Sequence, residues 1–259
     1  MLQPRPDPVP NDLKLCYERA CSLGTAEKDR VNWALMSQPF KTWIAAPSSH
    51  ILLINGHSEN TFISTMSYLC AFVAESLKLE RIPSGMYFCG MRCTHDGYPS
   101  GPLELVKSLI VQLISRFDFN FDILDRDRNR PNPERINDGK WLCWLLRHLI
   151  KQLPSGTVLF WIVDGVSYFE SNRLVADTCL VFQKIVEMVT MRKEIIIKLL
   201  MTSPYRSCEV GRQLGSQYIL NIPEVPDGER QGTFAMELRE ASRMVPRPQS
   251  AQRTSRWGW

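Results

Sequence analysis

The sequence predicts an α/β fold in which a five-stranded, mainly parallel sheet lies between two helical layers and follows N-terminal helices. Short apolar runs that suit buried strands alternate with amphipathic segments, a pattern typical of parallel sheets with helices on both faces. The chain has 259 residues, 44% hydrophobic and 22% charged, and is long enough to bury the core of one domain. We predict that this domain spans residues 11–240, between a disordered proline-rich segment (residues 1–10) and a basic disordered tail (residues 241–259).

Hydrophobic periodicity divides the predicted domain into helices and strands. Segments with apolar residues at helical spacing are predicted helices: residues 11–23, 26–37, 64–79, 102–117, 141–153 and 174–191. Short apolar runs bounded by glycine, proline or polar residues are predicted strands: residues 51–55, 85–90, 157–164, 195–203 and 217–222. Asn11 and Thr25 are predicted N-caps, because such side chains accept hydrogen bonds from the first amides of a helix. Residues 125–133 are a predicted exposed loop of mixed charge.

The net charge of +4 belongs to the predicted tail. Residues 241–259 contain four arginines and no acid, so residues 1–240 are neutral overall. The tail is also rich in proline, serine and glutamine, a composition typical of solvated, disordered segments. Because the body offers no basic stripe, we predict that nucleic acid is not a partner.

Composition also bears on the cellular compartment. Apolar runs all fall well short of the ~18 residues that a membrane-spanning helix needs, so we predict no membrane span. Residues 1–10 contain four prolines and an acid rather than the apolar core of a secretory signal. The eight cysteines mostly lie inside apolar runs, which favours buried thiols in a reducing compartment over a disulfide framework. The predicted location is therefore cytoplasmic.

The first predicted strand, Gly56 and the following helix form the frame of a phosphate-binding loop. In the full motif, G-x-x-x-x-G-K-S/T, backbone amides cradle phosphate, the lysine neutralises it and the hydroxyl binds Mg²⁺. Counted from Gly56, this chain has Thr61 for the second glycine, Phe62 for the lysine and Ile63 for the hydroxyl residue. Backbone amides at the helix start near Ser64 would still favour an anion.

Two later strands add to this pattern. The run from residue 157 ends in Asp164-Gly165, in the form of a Walker B strand, and the run from residue 195 ends in Thr202-Ser203, as in a sensor strand. In this order, over about residues 15–240, the motifs resemble the NACHT-like branch of the STAND NTPases. The resemblance is specifically to the nephrocystin-3-like N-terminal modules abundant in filamentous fungi. It implies a three-layer, P-loop NTPase-like sandwich.

The resemblance also shows which parts of the family's chemistry have changed. The Walker B pattern of the family is D-G-h-D-E, but Ser167 and Tyr168 occupy the two acidic positions after Asp164 and Gly165. The sensor pattern T-S-R-P is altered as well, because Arg206 is displaced by two residues. Phosphoryl transfer depends almost entirely on positioned charge and metal, so we predict that the chain is not an active NTPase.

The predicted function is therefore that of a pseudo-NTPase, a non-catalytic module that acts through protein partners in STAND-type signalling or self/non-self recognition. The chain has the middle module of the family, with no room for an effector or a repeat array. No cofactor is expected, and the alternative is a nucleotide switch that binds ATP or GDP weakly, with Mg²⁺, without hydrolysis. The predicted degenerate nucleotide site comprises Gly56, Thr61, Phe62, Ile63, Ser64, Asp164, Gly165, Thr202, Ser203 and Arg206.

Other interpretations of the same residues remain open. Asp164 could cap a helix, and Thr202-Ser203 could be ordinary turn chemistry. The segment Gly56-His57-Ser58-Glu59-Asn60 resembles the nucleophile elbow G-x-S-x-G, so Ser58 is a remote candidate nucleophile. Cys89, Cys93 and His95 cluster in sequence but lack a C-x-x-C pair and a fourth ligand, so we predict no metal site.

Overall fold

A computed structural model shows a five-stranded sheet in which every paired strand is parallel. The structure describes residues 9–57, 63–93, 100–124, 131–132, 134–190 and 194–226. The strands are β1 (His50–Asn55), β2 (Ser84–Phe88), β3 (Val158–Asp164), β4 (Ile196–Ser203) and β5 (Ile219–Asn221). Their order is β2-β3-β4-β1-β5, so β4 separates the two strands that carry Gly56 and Asp164 at their ends. The predicted α/β fold is confirmed.

Helices connect the strands and precede the sheet. They are α1 (Val9–Glu18), α2 (Thr25–Met36), α3 (Gln38–Ala45), α4 (Thr65–Leu79), α5 (Cys89–Cys93), α6 (Pro102–Ile114), α7 (Gly139–Gln152), α8 (Val175–Thr190) and α9 (Glu209–Arg212). Short 3₁₀ turns lie at Arg19–Ser22, Asp122–Leu124, Arg135–Asn137, Val166–Phe169 and Ser216–Tyr218. No helix in the described ranges is long and apolar enough to cross a membrane.

The sheet has a hydrophobic core on each face because successive strand residues point to opposite sides. Leu53 packs into the core formed with α6, α7 and α8. Its neighbours Leu52 and Ile54 pack into the other core, with α1, α2, α3 and α4. The three layers that the sequence predicted are therefore present.

Several predicted boundaries were wrong near the N-terminus. Helix α1 begins at Val9, not after Asn11, and Gly24 rather than Thr25 is the residue that precedes α2. Helix α3, which begins directly after Ser37, was not predicted. The Ser37 hydroxyl accepts a hydrogen bond from Phe40 N (3.3 Å), so one serine ends α2 and caps α3. A proline in the first turn of α3 is tolerated because that amide has no partner inside the helix.

Two further boundaries also differ from the prediction. The second strand ends at Phe88 and the chain turns into α5. The last strand is limited to Ile219–Asn221.

A buried lysine joins α3 to the sheet. Lys198 in β4 is 1% exposed, and its Nζ donates to the carbonyl oxygens of Trp43 (2.8 Å) and Ala46 (2.5 Å). These carbonyls lie at the C-terminal end of α3, where helix carbonyls lack partners and a cation is favoured. Burial lowers the pKa of Lys198 to about 8.

The outer edge of β2 is covered by a side chain. Gln112 of α6 accepts a hydrogen bond from Met86 N (2.9 Å) and donates one to Met86 O (2.8 Å). The primary amide therefore occupies the position that a further strand would take. Because an open strand edge invites pairing with another chain, this contact limits edge-to-edge association.

Candidate functional site

The carboxyl ends of the parallel strands bring most of the predicted site residues to one edge of the sheet. Asp164 ends β3 and Thr202 and Ser203 end β4, while Gly56 follows β1. Gly56 N donates to Ser203 O (2.8 Å), which continues the pairing of β1 and β4 by one residue. In open α/β sheets this edge is where ligands bind.

Asp164 is the centre of this site. Its carboxylate is 1% exposed and accepts two hydrogen bonds of 2.6 Å, from Thr202 Oγ1 to Oδ1 and from Ser67 Oγ to Oδ2. Burial raises the pKa of Asp164 to about 6, and the two hydroxyl donors partly oppose that shift. Among the described residues, no lysine, arginine or histidine forms an ion pair with this carboxylate.

Ser67 connects Asp164 to the start of α4. Ser64 caps the helix, its Oγ accepting hydrogen bonds from Met66 N (3.1 Å) and Ser67 N (3.2 Å). The Ser67 hydroxyl in turn accepts one from Ser64 N (3.0 Å) while it donates to Asp164. Ser67 was not among the predicted site residues, because the motif counted from Gly56 assigns the hydroxyl position to Ile63. A serine three residues after an N-cap serine, as in a capping box, is the signal that could have found it.

The first turn of α4 is enclosed by protein. Ser64 is 3% exposed, Thr65 2% and Ser67 1%. Ile63 is half-buried and packs against the core formed with α1 to α4. The other predicted loop residues, Thr61 and Phe62, and the candidate nucleophile Ser58 lie outside the described residues.

Gly56 is required by close packing. A Cβ at this position would lie 2.7 Å from Met66 Cγ and 3.3 Å from the carbonyl oxygen of Ser203. The Met66 side chain is completely buried, so it has little room to move away. A larger residue at position 56 would therefore displace α4 from the ends of β1 and β4.

The two positions at which the NACHT-like resemblance implies acids hold uncharged side chains. Ser167 accepts a hydrogen bond from Ser203 Oγ (2.8 Å). Tyr168 packs on Gly165, whose φ of +72° and contact with the tyrosine ring (2.9 Å from an ideal Cβ) both favour glycine. Burial, and next the neighbouring Tyr205, raises the pKa of Tyr168, so the phenol stays protonated at neutral pH.

Arg206 does not join the cluster around Asp164. Its side chain is exposed on the turn that follows β4. The next residues of that turn bind Glu170, an acid that was not among the predicted site residues. Its carboxylate accepts hydrogen bonds from Cys208 N (2.8 Å), Glu209 N (3.0 Å), Val210 N (3.0 Å) and Ser207 Oγ (2.5 Å). No local pattern predicts this contact, because it joins segments nearly forty residues apart.

The thiols near the site are buried. Burial is the main cause that raises the pKa of Cys16, Cys70 and Cys89, and the negative charge of Asp164 adds to the shift in each case. Cys70 Sγ lies 3.4 Å from Thr202 Oγ1. Within the described part of the chain, no group of histidine, cysteine and acidic residues has an arrangement that suits a metal ion. His95 of the predicted cysteine–histidine cluster lies outside the described residues.

Comparison with known proteins identifies the family. A family model described as "Nephrocystin 3, N-terminal" matches residues 29–204. The match begins within α2 and ends just after β4, and so includes Gly56, Asp164, Thr202 and Ser203. No curated protein and no solved structure matches the chain. Because the family model covers more than half of the sequence, the protein belongs to the NACHT-like nephrocystin 3 N-terminal family.

Proposed function

We propose that this NACHT-like domain is a pseudo-NTPase, a non-catalytic module that acts through contacts with other proteins. The observation that carries the proposal is that polar groups at the carboxyl edge of the sheet bind one another. Both oxygens of Asp164 accept hydrogen bonds from hydroxyl groups of the domain, and Ser203 donates to Ser167. In an active NTPase such groups face metal and phosphate instead.

The charges that phosphoryl transfer requires are also missing from the sequence. Counted from Gly56, Phe62 stands at the lysine position, and Met66 stands there if Ser67 is taken as the hydroxyl residue, so neither alignment supplies a lysine. Ser167 and Tyr168 replace the acids that serve hydrolysis. Loss of one preorganised group of this kind typically lowers the rate by about 10²–10³. Because several are absent together, we expect no hydrolysis above background.

A second candidate function is a nucleotide switch, and Asp164 favours it. A buried carboxylate without a cationic partner is unfavourable, and a divalent cation would supply the compensating charge. Asp164 and the Ser67 hydroxyl would provide oxygen ligands of the type that Mg²⁺ prefers, 2.6 Å apart from each other in the present arrangement. Bound Mg²⁺ would neutralise nucleotide phosphates at the start of α4.

One set of measurements on the full chain separates these functions. Thermal shift and calorimetry with ATP, ADP, GTP and GDP, each with and without Mg²⁺, would be paired with an ATPase assay. The pseudo-NTPase proposal predicts no turnover, and a molecular mass by light scattering that nucleotide does not change. Steady turnover near ~1 s⁻¹ that Asp164→Asn abolishes would contradict it.

The nucleotide switch predicts a different result. Ligand at 100 times its Kd would stabilise the fold by about 2.7 kcal/mol. That stabilisation would require Mg²⁺ and be lost in Asp164→Asn. Asp118→Asn is the matched control, because Asp118 is an exposed acid far along the chain from the site residues.

A further inference from the structure

One face of α2 contacts three separate parts of the chain beside the site. Glu27 and Arg30 are three residues apart, so their side chains lie on the same side of the helix. Glu27 Oε1 accepts a hydrogen bond from Thr65 Oγ1 (3.2 Å), at the first residue of α4. Arg30 Nη1 donates to the carbonyl oxygens of Gly56 and Pro223, 3.2 Å in each case, and Nη2 donates to that of Glu224.

The third of these parts is the segment that leaves the sheet after β5, residues 222–226, which we call the exit segment. It begins beside β1, where Ile222 N donates to Asn55 O (2.9 Å). It then passes Arg30 and reaches the surface at Val225, which is 82% exposed. All residues C-terminal to position 226 are therefore connected to the domain through this segment.

We propose that Glu27 and Arg30 act as a latch that couples the position of the exit segment to Gly56 and the first turn of α4. A guanidinium is a planar group with donors in fixed directions, so it holds several acceptors only in one mutual arrangement. If the exit segment moves away, Arg30 loses two acceptors and its hydrogen bond to Gly56 weakens. Coupling of this kind is reciprocal, so a change at Gly56 also loosens the exit segment.

The latch explains how a module without catalysis could respond to a partner. A protein that binds the chain beyond residue 226 and pulls on the exit segment would alter the edge of the sheet where Gly56 lies. In the opposite direction, a change at the start of α4 would reach the exit segment through Glu27 and Arg30. This regulation does not depend on whether nucleotide binds, and so it goes beyond the proposed function.

Hydrogen exchange measured on the full chain tests the coupling. The readouts are the amides of Gly56 and Ile222, with β3 as an internal reference. We expect Arg30→Gln to accelerate exchange at both amides by about tenfold and to leave β3 unchanged, because the lost hydrogen bonds are local. Lys28→Gln removes an exposed cation from the same helix and is expected to change neither amide.

Further variants show whether a change in exchange reflects the latch or a general loss of folding, and whether the coupling also acts from the exit segment toward Gly56. Arg30→Lys keeps the charge but not the planar fork, and we expect a smaller acceleration at both amides. Pro223→Gly adds backbone freedom at a residue whose carbonyl Arg30 binds, and it should accelerate exchange at Gly56. Val225→Gly adds freedom after the two residues that Arg30 binds and should not.

Faster hydrogen exchange at Ile222 with no change at Gly56 would mean that Arg30 only holds the exit segment in place, and it would overturn the proposal. No acceleration at either amide would overturn it as well. If Arg30→Gln also accelerates exchange in β3, the fold as a whole has loosened, and Arg30→Lys is compared with Lys28→Gln instead. Faster exchange at Gly56 and Ile222 in Arg30→Lys than in Lys28→Gln supports the proposal, and equal exchange in the two variants overturns it.

Discussion

Replacing Asp164 with asparagine should stabilise the protein at neutral pH. Asp164 is almost completely inaccessible and, among the described residues, has hydroxyl groups but no cation as partners. Asparagine has nearly the same shape, can accept one hydrogen bond and can donate another, and carries no charge to bury. A substitution that removes a charged group and increases stability is typical of sites that retain strain for function.

The magnitude follows from the pKa of Asp164. Burial raises that pKa from 3.8 to about 6, so ionisation is less favourable in the folded state than in the unfolded chain. As pH rises from about 4 to 6, the unfolded state loses its proton first and the free energy of unfolding falls. At 1.36 kcal/mol per pH unit, the loss above pH 6 amounts to about 3 kcal/mol.

Urea denaturation of the wild type and Asp164→Asn at pH 4 and pH 8 would measure this effect. We expect the variant to be more stable by about 3 kcal/mol at pH 8, and by much less at pH 4, where the carboxyl group is largely protonated. The difference between the two proteins cancels the titration of all other groups. Asp118→Asn, at an exposed position, is the control. A difference that does not change with pH would refute the reasoning.

Three other predictions follow from particular contacts. Burial lowers the pKa of Lys198 to about 8, so the free energy of unfolding should rise between about pH 8 and 10.4, where the unfolded chain binds more protons. Denaturation measurements should show that Lys198→Met loses this rise, whereas the exposed control Lys140→Met keeps it. Gln112→Ala should expose Met86 N and O at the edge of β2 and cause concentration-dependent association, measurable by light scattering; a mass equal to that of the wild type would contradict this. A fluorophosphonate probe should not label Ser58, and labelling that Ser58→Ala removes would revive the hydrolase interpretation.

Local pattern was sufficient to predict the sheet and the edge where the site lies. Alternation of buried strands with amphipathic helices reflects packing periodicities that neighbouring residues carry themselves. The family resemblance grouped Gly56, Asp164 and Thr202 in one predicted site, and the carboxyl ends of the parallel strands do place them at one edge. By contrast, α3 was missed because Ser37 and the following proline are typical of a helix end as well as of a helix start.

Tertiary structure decided which side chains meet at that edge. Ser67 and Asp164 are separated by 97 residues, and their contact exists because α4 packs beside β3. Arg30 reaches carbonyl groups that are 193 and 194 residues away because β5 returns to the side of β1. Contacts of this range depend on strand order and helix placement, which no short window of sequence contains. Sequence by itself therefore determined the fold, while tertiary packing determined which groups the side chains at the carboxyl edge of the sheet bind.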